Sequence, residues 1–298
     1  MENLQTETKR KDWYDNWYKV LLIAPVLLLI LSLGYLGYFF YQHGDIMLKD
    51  SSLSGGTTIT LIGDIDLAKL ESSLKSDFSD ISTRKLTDLR TGKAVSSIIE
   101  SSAKPEELKP AIEKALGYAL TEENSTVEFT GPSLSKSFYQ QLMFALLISF
   151  ILMSITIFII FRTFIPSIAV IFAVLGDIAM PLALIDFLGI KLSAAGIAAF
   201  LMLIGYSVDT DILLTTRALR TKGGTVNKRI YRAFRTGTFM TTTALIAILP
   251  AFFIVSGLPD SFRQIFFILA LGLFADIINT WLTNASIIKW YCESKRIE

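Results

Sequence analysis

Residues 192–214 read LSAAGIAAFLMLIGYSVDTDILL. A helix needs about 20 predominantly apolar residues to cross the roughly 30 Å hydrocarbon layer of a bilayer, and this run supplies them. Its first half has no polar face of the kind a soluble surface helix shows. Near its end it carries two carboxylates, Asp209 and Asp211, where intramembrane charge is costly and is retained for a reason. The stretch predicts a membrane-spanning helix with a charged task at one end.

Five more apolar runs flank it, at 20–41, 142–161, 165–187, 239–255 and 266–290. The second and third runs are separated by Arg162 and Pro166, which predicts a tight hairpin. The whole chain is 298 residues, 52% hydrophobic, with mean hydropathy +0.50. Such a chain must face something other than water over most of its surface. The expected architecture is an α-helical polytopic membrane protein: six spans with one water-soluble domain between the first and second. The segments are a tail at 1–19, a first span at 20–41, a domain at 42–137, a five-span bundle at 138–291 and a tail at 292–298. The N-terminal run is too long for the apolar core of a cleavable signal and is expected to remain as an anchor.

Lysine and arginine set the expected orientation. Lys9, Arg10, Lys11 and Lys19 lie in the first tail. Arg217, Arg220, Lys222, Lys228, Arg229, Arg232 and Arg235 crowd the segment between spans four and five, which holds no acidic residue. Lys295 and Arg296 end the chain. Six spans put all three segments, and Arg162, on one side, the cytoplasmic one. The opposite short loops hold Lys191, Asp260 and Arg263. The basic segment 217–235 has the composition to bind anionic lipid, nucleic acid or ribosomal RNA, but the topology rule accounts for it without any of them. No nucleic-acid partner is expected.

The domain at 42–137 then lies outside, and there acidic side chains outnumber basic ones. It reads as strand, helix, strand, strand, helix, strand. Residues 57–62 alternate and are β-branched. Residues 66–75 form an amphipathic helix capped by Asp64 or Asp66. Residues 82–89 and 93–99 suit a hairpin around Thr91-Gly92. Residues 104–116 form a helix with Pro105 in its first turn, and 125–129 alternate again. This α+β order is the ferredoxin-like βαββαβ arrangement. Asn124-Ser125-Thr126 is a glycosylation sequon on that side. Asn284-Ala285-Ser286 also matches, inside a span.

Polar residues recur where lipid would otherwise be. Asp177 is mid-span in the third run and Asp276 in the sixth. Asp276, Asn279, Thr280, Thr283 and Asn284 are spaced to lie on one helical stripe. Ser207, Thr210, Asp211 and Thr215 do the same in span four, and Thr236, Thr238 and Thr241–Thr243 line span five. Asp209 sits about 200° around the helix from Asp211, so the two do not share one seam equally. The ion-relay candidates are Asp209, Asp211, Arg235, Asp177 and Asp276: protonatable carboxylates with a basic partner able to load and release an ion. The static alternative is that they cap helices or pair with one another. Asp186 is read as interfacial. One cysteine, Cys292, excludes an internal disulfide, and the single His43 excludes a histidine-rich metal site. No P-loop, metal cluster or nucleophile–histidine pair is present, so neither an enzyme nor a cofactor is expected.

Ile204-Gly205-Tyr206-Ser207-Val208-Asp209-Thr210-Asp211 resembles the signature of the SecF family, subunits of the protein-export complex. Leu53-Ser54-Gly55-Gly56-Thr57 is similar to the family's Gly-Gly motif after the first span. Gly176-Asp177-Ile178 matches its third-span motif, and Arg235-Thr236 matches the pair that opens its fifth span. The resemblance covers nearly the whole chain. Where bacterial members have Asn-Asp-Thr this chain has Asp209-Thr210-Asp211, and that form together with Asp276 resembles the archaeal branch. The resemblance implies a role carried first by Asp209, where the sister subunit SecD usually has its Asp, and second by Asp211. It also implies a SecD homologue as heterodimer partner, the Sec translocon channel and unfolded secretory chains as further partners, and membership of the resistance-nodulation-division superfamily, whose transporters have two six-span halves. The polar stripes of spans four to six support the need for a second half. The function it implies is export of unfolded proteins driven by an ion gradient, of protons or of sodium. The alternatives are an efflux half-transporter for small amphiphiles and a non-conducting assembly factor of the Sec channel.

Overall fold

The computed structural model describes residues 12–87, 94–221, 224–254 and 260–297. Lys9, Arg10, Lys11, the Thr91-Gly92 turn, Lys93, Lys222 and Val255 lie outside them. In chain order the elements are α1 (Trp13–His43), α2 (Ser51–Ser54), β1 (Gly56–Ile62), α3 (Leu67–Leu74), β2 (Ser82–Thr87), β3 (Ala94–Ser101), α4 (Pro105–Leu116), β4 (Ser125–Thr130), α5 (Pro132–Phe161), α6 (Phe164–Phe187), α7 (Ala194–Arg220) and α8 (Val226–Ile254). A last rod joins α9 (Asp260–Ile278), a π-helical turn (Asn279–Asn284) and α10 (Ala285–Ser294).

Among the described residues six helices are long and apolar enough to cross a membrane: α1, α5, α6, α7, α8 and the last rod. Several outrun their apolar stretches. α5 begins at Pro132, where a proline at the first helical position costs no hydrogen bond. Its polar first turns extend the helix ahead of the apolar run. α5 and α6 are separated by Arg162 and Thr163 alone, and Arg162 takes the left-handed conformation (φ 55°) while its N–H caps the Phe158 carbonyl. The hairpin is as tight as its sequence predicts.

α1 and α5 are apolar on every side and bury few residues, as lipid-facing helices do. α6 and α7 form the centre of the bundle. Small residues allow the close approach. Ala169, Ala173 and Gly176 line the buried face of α6. A Cβ on Gly272 of the last rod would collide with the Leu203 side chain of α7, and one on Gly237 of α8 would come 2.5 Å from the Trp281 ring.

The soluble domain is one antiparallel sheet of four strands in the order β2-β3-β1-β4. Ile59, Leu61 and Ile99 from the sheet pack on Leu67, Leu70 and Leu74 of α3 and Leu108 and Ile112 of α4. This apolar layer is the domain's own core, distinct from that of the bundle.

The start of β1 explains the two consecutive glycines. Gly55 (φ 88°) and Gly56 (φ 134°) hold backbone conformations that L side chains rarely adopt. A Cβ on Gly55 would come 2.7 Å from the Pro132 Cα, and one on Gly56 would collide with the Ser101 carbonyl. The pair therefore wedges the entry of the domain between the end of β3 and the first turn of α5. Gly56→Ala is expected to cost about 2–4 kcal/mol, from strained φ and overpacking together. Thermal unfolding and limited proteolysis of the full chain in detergent would show it, with earlier cleavage in residues 56–130 and the helices intact.

The domain is also clamped to the bundle. Leu192, between α6 and α7, donates to the Leu48 carbonyl (2.6 Å) and accepts from the Asp50 N–H (3.0 Å). Lys191 pairs with Glu100 of β3 at 2.7 Å, and Arg84 of β2 meets the same carboxylate at 3.1 Å. Gln264 of α9 closes the joint, accepting from the Ser193 N–H and hydroxyl and donating to the Lys191 carbonyl. Asp186 is buried here and accepts from the Leu48 N–H.

Asp50 caps α2, accepting from the Ser52 N–H and hydroxyl. Burial pushes its carboxyl up to about 7, against the lowering effect of Ser52 and with a further push from Glu100. The folded chain thus binds a proton here that the unfolded chain, with the ordinary value of 3.8, releases earlier. Stability is expected to fall as pH rises from about 4 to about 7 and to level off above that. Asp50→Asn should flatten this slope and raise the melting temperature at pH 8. Melting curves of the full chain across pH 4–8 would test it.

Candidate functional site: a buried carboxylate chain between helices

Three aspartates meet inside the bundle. Asp177 of α6, Asp211 of α7 and Asp276 of α9 are all fully buried. Asp177 accepts from the Ser207 hydroxyl of α7 and, at 2.8 Å, from the Asn279 amide. Asp211 accepts from the Asn284 amide (2.7 Å) and lies 3.0 Å from the Thr280 hydroxyl. Asp276 lies 2.9 Å from the Thr210 hydroxyl, 3.0 Å from that of Thr280 and 3.3 Å from that of Thr241 on α8. The result is one connected polar string across three helices, α6, α7 and the last rod: Asp177, Ser207, Thr210 (through the Ser207 carbonyl), Asp276, Thr280, Asp211, Asn284, with Thr241 of α8 joining at Asp276.

Local structure places each member. Gly176 precedes Asp177, and a Cβ there would come 2.6 Å from the Asn279 amide nitrogen. Gly176 is therefore the space into which Asn279 leans to reach the carboxylate beside it. The π-helical turn spans residues 279–284 and presents Asn279, Thr280, Thr283 and Asn284 to the interior. Such turns insert a residue into an α-helix and occur often at functional sites. Two acceptors, Asp211 Oδ2 and Asn284 Oδ1, are buried without a protein partner.

The sequence candidates divide. Asp177, Asp211 and Asp276 come together with Ser207 and Thr210. Asp209 does not join them: it is exposed on the opposite face of α7, with Gly205 and Tyr206. The helix angle between Asp209 and Asp211 is as the sequence requires, and it is Asp211 that points inward. Arg235 is exposed at the start of α8. It lines a cleft with Arg217, Arg229 and Arg232 and is not a partner of the buried carboxylates. Gly55 and Gly56 lie at the domain entry, far along the chain from this site. Among the described residues no group of three histidine, cysteine or carboxylate side chains is arranged to hold a metal ion. Sequence reasoning missed the π-helical turn and the Gln264 clamp, neither of which has a residue pattern of its own.

The fold and this interior define a multi-pass membrane protein with a hydrogen-bonded carboxylate chain through its helices. A family described as "Protein export membrane protein SecD/SecF, C-terminal" matches residues 112–294. A protein-export membrane protein SecF from Methanolacinia petrolearia is 36% identical over 276 residues, covering 92% of this chain and 93% of the relative. The SecF of Methanocaldococcus jannaschii is 34% identical over 288 residues, covering 94% and 97%. The chain belongs to the SecF family of protein-export membrane proteins. The crystal structure of SecDF, a translocon-associated membrane protein from Thermus thermophilus, has the same fold at TM-score 0.75 and 17% identity. The match covers 96% of this chain but 39% of that longer one.

The contact between Gly176 and Asn279 has a measurable signature. Gly176→Ala and Asn279→Ala are each expected to lower stability by about 1–3 kcal/mol. The double variant should lose less than the sum, because removing the amide removes the clash. A double-mutant cycle on melting in detergent would show this non-additivity.

Proposed function

We propose that this chain is one six-span half of a protein-export assembly, and that proton movement through Asp177, Asp276 and Asp211 drives its soluble domain. The second half is a SecD homologue. The domain, with the βαββαβ order and sheet order of the ferredoxin-like arrangement, lies outside the cell membrane and both termini inside. There it favours forward movement of unfolded chains emerging from the Sec channel.

A proton count supports this reading. A hydroxyl owns one hydrogen. Thr280 lies 3.0 Å from a carboxylate oxygen of both Asp211 and Asp276, so its hydrogen serves one of them. Thr210 is likewise shared between the Ser207 carbonyl and Asp276, and Thr241 between the Gly237 carbonyl and Asp276. Every hydroxyl around Asp276 has a second acceptor. A proton on Asp276 resolves the Thr280 contact, Asp276 donating to Thr280 and Thr280 to Asp211, and transfer through Thr280 leaves the proton on Asp211 and reverses those two bonds. Motion reaches the domain through the α6–α7 connection, where Lys191 and Leu192 are clamped to it.

Two further observations support a partner half. The structural relative is about two and a half times as long as the matched region. Asp209 is exposed on a membrane-spanning helix, and a charge facing lipid is costly; a helix of the second half would cover it. The domain core holds a single small sheet, which favours export over efflux of small amphiphiles.

The test is proton flux and export in proteoliposomes containing the chain, its co-purifying SecD-type partner and the channel. Asp276→Asn and Asp211→Asn keep the shape and the hydrogen-bonding capacity of a protonated carboxyl. They are expected to melt within about 1 kcal/mol of the parent while both flux and export collapse. Asp209→Asn should have the smaller effect. Export and flux that both survive in the two inner variants would sink the relay, whereas a parent assembly that exports without any proton flux would be a non-conducting assembly factor.

A further inference from the structure

At the end of the bundle away from the soluble domain, Arg217, Thr221, Arg229, Arg232, Arg235, Thr236 and Phe239 enclose a cleft of about 720 Å³. Four arginines line it, and no carboxylate does. The topology rule asks for basic residues on this side of the membrane, but it does not ask that two helices line one cleft with them. Three of the four rise from the first turns of α8, which holds no acidic residue in its first turn. Of these only Arg229 is close enough to the start of the helix to oppose its dipole, an end that favours an anion. Arg229 is 3% exposed and donates to the Thr221 carbonyl at 3.1 Å. Arg217 is held in place, donating to the Arg232 carbonyl (2.8 Å) and the Thr236 hydroxyl (2.7 Å). Arg232 and Arg235 are exposed at the mouth.

The cleft is also two-faced. Phe239 is one turn from Arg235 towards the membrane and 71% exposed, and Ile246, two turns further on, is 65% exposed. Positive charge thus leads directly onto the exposed Phe239 ring, with Thr242 and Thr243 exposed between it and Ile246. A soluble anion uses the first feature and not the second, whereas an amphiphile uses both. We propose that this cleft binds the phosphate-bearing headgroup of an anionic membrane lipid, with the lipid's apolar chain lying along Phe239. The occupied cleft neutralises the arginines and ties the α7–α8 connection to the membrane surface, independently of the carboxylate chain.

The probe is phosphatidylglycerol, added to the full-length protein with its co-purifying chains in a neutral detergent. Bound lipid is counted by native mass spectrometry and stability is read from melting curves. The parent is expected to retain the lipid and to melt higher with it, while phosphatidylcholine does neither. Arg232→Gln with Arg235→Gln should bind about 25-fold more weakly, at about fivefold per charge lost, with the lipid-free melting temperature unchanged. Phe239→Ser keeps every charge and should weaken phosphatidylglycerol while leaving any response to inorganic phosphate as it was. Three results would overturn the proposal: equal lipid affinity in the arginine variant, a full stabilisation by inorganic phosphate alone, or stoichiometric displacement of the lipid by an RNA oligonucleotide.

Discussion

Carboxylates in an interior cut off from water have to be hydrogen-bonded by the helices around them, and this requirement organises the bundle. An unsatisfied polar group there costs several kcal/mol, and an unsatisfied charge far more. Asp177 needs Ser207 and Asn279, Asp276 needs Thr210 and Thr280, and Asp211 needs Asn284. Each pair crosses between helices or bridges the π-helical turn. A one-residue slip of α7 against α9 would break several of these at once, so the polar string sets the register that apolar packing alone leaves loose.

The glycines follow from the same demand. Helices approach closely enough to share hydrogen bonds only where side chains are absent. Gly176 admits Asn279, Gly272 admits Leu203 and Gly237 admits Trp281. The joint to the soluble domain repeats the pattern with different chemistry. Backbone pairing at Leu192, the Lys191–Glu100 ion pair and the Gln264 amide fasten the connection of the two central helices to the sheet. The helices that carry Asp177 and Asp211 are therefore the ones whose shared loop touches the domain.

Much of this was legible in the order of residues. Asn279, Thr280, Thr283 and Asn284 fall on one stripe because helical spacing is periodic, and the structure keeps them together and buried. The arginines of 217–235 were legible as a group but not as a cleft. Their sharing of one cleft depends on how the end of α7 meets the start of α8, and that contact has no sequence signal.

The sequence by itself determined the six spans, because bilayer thickness converts directly into a count of apolar residues. It determined the strand and helix order of the domain through alternation, capping and turn residues. It also determined that Asp209 and Asp211 face nearly opposite ways, since that angle is a property of the helix. Only the tertiary structure decided what Asp211 meets. The stripe of Ser207, Thr210, Asp211 and Thr215 marks one polar face of α7, but its own pattern does not say which helices that face meets. That choice belongs to the partner groups, Thr280 and Asn284, which are 69 and 73 residues away along the chain.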